Sequence, residues 1–149
     1  MASRFILFGL CLAAAIASAQ ETLPLLPKWT RFQGELVSLK TYDNPIQDAQ
    51  LKAVFTSPAD ERYEVDGFWD GGNDWKIRFL PDLAGKWTFH ITCSDEENRG
   101  LHNLTGAFRC TAPLGGNALS QHGPIRVSRD RTHFVHEDST PFFWMADTA

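Results

Sequence analysis

Beyond residue 34 the apolar and polar positions alternate in short runs. Leu51, Ala53 and Phe55 alternate with Gln50, Lys52 and Val54, and Ile77 and Phe79 alternate with Lys76 and Arg78. Trp87, Phe89, Ile91 and Cys93 recur at every second position. A period of two puts each such set on one face of a strand. The pattern predicts strands over 35–40, 50–56, 62–68, 75–80, 86–93 and 106–111. Between them stand "YDNP", "SPAD", "WDGGND", "LPDLAG" and "SDEENRG", rich in the residues that make turns. One buried and one wet face per strand is the mark of antiparallel sheets. After the leader no segment holds a convincing 3.6-residue period.

Short strands at this spacing predict a β-sandwich of immunoglobulin-like size, a mainly β fold. The stretch "APLGGNALSQHG" at 112–123 has linker composition, which sets a domain boundary there. Beyond it come "PIRVSRD", "THFVHEDS" and "TPFFWMADTA". The acidic turn Glu137-Asp138-Ser139 folds the second of these onto the third as a β-hairpin. The expected organisation is therefore a leader at 1–19, a sandwich at 20–111, a linker at 112–123 and a second unit at 124–149.

The leader reads as a signal peptide. Arg4 is its basic residue, the apolar run follows, and Ala17-Ser18-Ala19 offers small residues for cleavage. The run is shorter than the roughly 20 residues a membrane-spanning helix needs. A secreted or periplasmic location is expected. Without residues 1–19 the chain holds 13 basic and 18 acidic residues, a net charge of −5. That balance, with no Lys/Arg cluster, argues against nucleic acid and against an anionic membrane surface as partners. The five Trp and eleven Phe of the whole sequence, only two of the Phe within the leader, supply a core for one domain.

Cys11 leaves with the leader, so the mature chain has Cys93 and Cys110. An even pair in a secreted chain predicts a disulfide, and both residues point inward from neighbouring strands. Such a bridge would contribute about 3 kcal/mol in the chain-entropy description. Two buried free thiols are the alternative.

Candidate chemistry is sparse. "GFWDGGNDWKIRF" reads as a hairpin whose Gly residues supply positive φ. Its Asp70 and Asp74 lack the alternating spacing of a Ca²⁺ loop. Trp69 and Trp75 would stack on sugar rings if exposed, and would be core residues otherwise. His133 and His136 fall on opposite faces of a strand and do not chelate together. Asn103-Leu104-Thr105 is an N-glycosylation sequon, meaningful in a eukaryotic secretory pathway. No nucleophile elbow, zinc-protease motif or phosphate loop is present, no cofactor is called for, and no two carboxylates are paired as acid and base.

Three stretches together carry a resemblance: "YDNPIQDAQLKAVFTSP", "VDGFWDGGNDWKIRFLPDLAGKW" and "THFVHEDSTPFFWMADTA". Over roughly 29–149 the chain resembles the start of secreted, bacterial-type glycoside hydrolases of the apiosidase-like kind. In these a small immunoglobulin-like domain of unknown function precedes a (β/α)8 barrel. The Asn44-Pro45 turn, the Gly67 to Gly71 hairpin, and Arg78, Phe79, Pro81, Gly85 and Trp87 match that domain. His133-Phe134, Asp138-Ser139 and Pro141 to Ala149 match the first strand of the barrel. The chain departs from the pattern at Ser139, where the family has Gly, and at Met145 and Ala146, where it has Leu and Gly. The family's next residue, a Trp, has no counterpart.

The resemblance implies a chain that stops within the first barrel strand. A whole barrel takes about 250 residues, and the paired carboxylates of glycoside hydrolysis sit on later strands. No catalytic residue is therefore expected in this chain, and the chain alone is expected to be inactive. Asp147, at the C-terminal end of strand one, would bind a sugar hydroxyl or serve as a plain turn acid. The partners implied are a carbohydrate and the chain's own missing barrel. The other class of function is a free-standing secreted carbohydrate-binding or adhesion module. An unpaired "FFWMA" strand is an aggregation hazard, so deleting 124–149 is expected to raise solubility.

Overall fold

The computed structural model describes residues 23–145. The leader at 1–19 and Asp147 lie outside the described residues.

The alternating runs form the strands they predict, with shifted ends. The order is β1 (Leu25–Pro27), β2 (Phe32–Val37), α1 (Pro45–Asp48), β3 (Leu51–Thr56), β4 (Arg62–Asp66), β5 (Phe68–Gly71), β6 (Asp74–Phe79), β7 (Gly85–Cys93) and β8 (Leu104–Thr111). Then come α2 (Ala118–His122), β9 (Ile125–Val127), β10 (Phe134–His136) and β11 (Pro141–Phe142). One sheet runs β1-β8-β7-β3-β4, a second β2-β6-β5, and a third β11-β10-β9. All pairings are antiparallel except β1 on β8.

The fold is mainly β and the first two sheets pack as a sandwich. Phe55 of β3 stacks on Phe79 of β6 at 4.2 Å between ring centres. Phe32 of β2 stacks on Phe108 of β8 at 5.0 Å. The alternating set Leu51, Ala53 and Phe55 is buried, as are Ile77, Trp87, Ile91 and Phe108. Within the run at 78–87, Pro81, Gly85 and Trp87 each have a packing reason. Pro81 is buried, and its carbonyl accepts the Trp29 N–H at 3.0 Å. Gly85 has φ of 136° and lies against Pro58, where a Cβ would sit 2.7 Å from Cγ. The Trp87 indole donates to the Leu83 carbonyl at 2.8 Å.

Two expectations are corrected. The strand expected over 62–68 is two strands in different sheets, broken at Gly67. There the backbone N–H bonds Leu51 O at 2.7 Å, and a Cβ would lie 2.4 Å from Leu51 Cδ2. The chain crosses from one sheet to the other over Leu51, and only glycine fits that approach.

The disulfide is overturned as well. Cys93 and Cys110 are both free and buried. Cys110 pairs with Gly85, at the start of β7, while Cys93 ends that strand. Eight residues of strand separate them, about 26 Å at roughly 3.3 Å each. A disulfide tolerates a Cα separation of only about 4.4–6.8 Å. They share a face but stand at opposite ends of it.

Two short helices accompany the strands. Pro45 opens α1 at a position where its missing N–H costs nothing, and Asp48 Oδ2 accepts the Asn44 N–H at 2.8 Å. In α2 the Asn117 side chain accepts the Ser120 N–H at 2.9 Å, and Gly123 closes the helix with φ of 83°. The Pro-rich stretch "LPLLPKW" at 23–29 joins the larger sheet. It forms β1, whose flanks bond β8 through Arg109 N to Pro24 O at 2.9 Å and Lys28 N to Thr111 O at 3.0 Å. The expected hairpin at 133–142 is present as β10 and β11, and β9 extends it to three strands. Ser139 takes φ of 73° in its turn, a conformation that suits Gly better. Among the described residues no helix is long and apolar enough to cross a membrane.

Candidate functional site

The crossing at Gly67 opens a cleft at the corner of the sandwich. It has a volume of about 560 Å³. One wall is α1 and the start of β3, with Ile46, Gln50 and Lys52; the other is the β4–β5 corner, with Asp66, Phe68 and Trp69. Trp75 of β6 also lines it. A cleft of this size, mostly apolar with a few polar groups, is what small-ligand sites look like.

Trp69 and Trp75 are brought together as cross-strand partners on β5 and β6. Their environments differ. Trp69 is 37% exposed, and its indole N–H donates to Gly72 O at 2.8 Å, which fixes the ring. Gly71 and Gly72, with φ of 112° and 52°, make the turn that brings that carbonyl back. Trp75 is 3% exposed and packs edge-on to Tyr42, so it offers no open face for stacking. Its indole N–H is buried without an acceptor in the protein. An unmet buried donor of this kind costs about 1–3 kcal/mol.

The charges around the cleft are nearly balanced. Lys52 and Asp66 face each other across the β3–β4 pair. Lys52 Nζ bonds Glu64 Oε1 at 2.5 Å, and that carboxylate first, then Asp66, holds the ammonium above its ordinary pKa. On the β5–β6 hairpin Lys76 pairs with Asp70. Arg78 lies over the Phe68 ring at 4.9 Å and bonds Gln33.

Trp69 was legible as a candidate from its type and its hairpin. Gln50, Lys52 and Asp66 were not, because what gathers them is the change of sheet at Gly67, which alternation does not reveal. The signal that could have found them is Gly67, an isolated glycine inside an apparent strand. His136 is buried, with Nδ1 2.8 Å from Gly123 O, whereas His133 is exposed; the two do not converge. No cluster of three His, Cys, Asp or Glu suited to a metal occurs among the described residues.

The class of fold is a two-sheet β-sandwich with an aromatic corner cleft. Its relatives make that more specific. The family described as "Domain of unknown function (DUF5060)" matches residues 25–94, the span from β1 through β7. A candidate glycoside hydrolase of known structure from Bacteroides vulgatus is 26% identical with a TM-score of 0.66. The likeness covers 80% of this chain and 21% of that one. The chain thus spans about a fifth of the length of that protein. No curated protein matches it.

Proposed function

We propose that this chain is the N-terminal accessory β-sandwich of a secreted glycoside hydrolase, with the catalytic carboxylates in a barrel beyond residue 149. The observation that carries the reading is the unequal coverage. Most of this chain, but only 21% of the candidate glycoside hydrolase, takes part in the likeness. The rest of that protein has room for a catalytic barrel of about 250 residues. In this reading the sandwich is of the immunoglobulin kind, the β9–β11 segment leads into the barrel, and the leader directs secretion. Carbohydrate is the partner, reached through the whole enzyme. Asp147, in this reading, is proposed to bind a sugar hydroxyl.

Two preparations test this. Residues 20–149 alone are expected to release no reducing sugar from a panel of plant polysaccharides. The product of the whole reading frame that contains them is expected to do so. Turnover by residues 20–149, or a reading frame without a catalytic domain, defeats the proposal.

A further inference from the structure

We infer that the corner cleft beside Trp69 is a binding subsite for one neutral pyranose ring of a polysaccharide chain. This rests on the accessory-domain reading and adds to it a ligand, a place and a mode of contact.

The first argument is the wall. Trp69 presents a partly exposed indole whose N–H is already engaged by Gly72, so the ring is held in one orientation. A fixed aromatic plane loses little entropy when a flat apolar surface settles on it. The C–H face of a pyranose is such a surface. Across the cleft Ile46 is 74% exposed on α1 and supplies further apolar area.

The second argument is the rim. Gln50 carries both a donor and an acceptor, Lys52 donates and Asp66 accepts. Sugar hydroxyls do both, so a mixed rim matches a polyol better than it matches a purely apolar or purely ionic ligand. The third is charge. Lys52 and Asp66 oppose each other, and Lys52 is further tied to Glu64. The site presents no net positive field to attract a uronic acid. The fourth is Trp75, which also lines the cleft and adds apolar surface beside Trp69.

The cleft is open on one side, which suits a ring within a longer chain. Its place on the accessory sandwich makes it a site for holding substrate, separate from the carboxylates that cleave.

The test uses ¹⁵N-labelled mature chain and follows the five Trp indole N–H signals, assigned by single Trp→Phe changes. The probes are cellotetraose, xylotetraose, a galacturonic acid oligomer of the same length, and the apolar dye ANS. At least one neutral tetrasaccharide is expected to move the Trp69 and Trp75 signals at concentrations up to about 10 mM, while Trp87 stays still. The galacturonic acid oligomer is expected to bind at least tenfold more weakly. Trp69→Ala is expected to weaken the neutral sugar at least tenfold with the Trp87 signal unchanged. Asp66→Asn, on the rim, is expected to weaken it several-fold.

Absence of shifts with both neutral tetrasaccharides overturns the inference. So does undiminished binding by both variants, or ANS at Trp69 that neither sugar displaces. An active whole enzyme with an unresponsive cleft would leave the accessory reading standing and remove this one. A sugar-binding cleft in a reading frame without a catalytic domain would do the reverse.

Discussion

Single residues decide where this chain bends. Gly67 is the clearest case, because the space a Cβ would need is filled by Leu51. Gly67→Ala is expected to destabilise the fold by about 1–3 kcal/mol, the usual range for forcing a methyl into packed surroundings. Urea denaturation reads this directly, and a midpoint equal to wild type would show that Leu51 yields freely. A second residue, Asp138, ties α2 to the β10–β11 turn. Its Oδ2 meets His122 Nδ1 at 2.7 Å, and its Oδ1 accepts the Thr140 N–H at 2.9 Å. The His122 contact first, then the Thr140 bonds, hold its carboxyl well below the usual range. A depressed pKa means that the contribution is complete above the unfolded value of about 3.9. It is lost as the pH falls through the lower folded value. The difference in denaturation midpoint between wild type and Asp138→Asn is therefore expected to shrink as the pH falls below about 4. A difference that holds unchanged to pH 2 would show that the carboxylate is not engaged as described.

At the scale of elements, register matters more than facing. Both cysteines were correctly read as inward, yet the β7–β8 pairing puts them at opposite ends of the same face. Thiol titration of the unreduced, denatured mature chain is expected to find two free thiols, and a count of zero would restore the bridge. Alternation was visible wherever a strand had one face on the core, as in β3, β6 and β7. It could not reveal where a strand changes sheets, because Tyr63 and Val65 keep the pattern up to Gly67. Nor could it reveal β1, which has too few residues to alternate and forms because β8 offers an open edge. The helices α1 and α2 are too short to show a period and depend on Asn44, Pro45 and Asn117 at their starts. The cleft was half visible for the same reason. Its aromatic wall lies within the β5–β6 hairpin and its polar rim within the β3–β4 hairpin, and only the change of sheet at Gly67 brings the two together.

At the scale of the whole molecule, two apolar surfaces compete in deciding solubility. One is the end of the chain as described. Phe143, Trp144 and Met145 are 83%, 63% and 85% exposed, and Trp144 gathers with Phe134 and Phe142 at about 6 Å between ring centres. The other lies beneath the β9–β11 segment. Gly123 sits so close to Trp29 that a Cβ there would be 2.8 Å from the indole, and Pro124 and Ile125 border the same surface together with Leu80. Deleting 124–149 removes the first surface but uncovers part of the second. The simple expectation that truncation raises solubility therefore gives way to a sharper one. Phe143→Ser combined with Met145→Ser leaves Trp29 covered and removes two of the most exposed apolar side chains. That double variant is expected to self-associate less than either the parent or the deletion, as read by sedimentation velocity across a concentration series. If the deletion proves the more monomeric of the two, Trp29 is adequately covered without residues 124–149. The β9–β11 segment would then be only loosely seated on the sandwich, and the contact at Gly123 would carry little of the fold's stability.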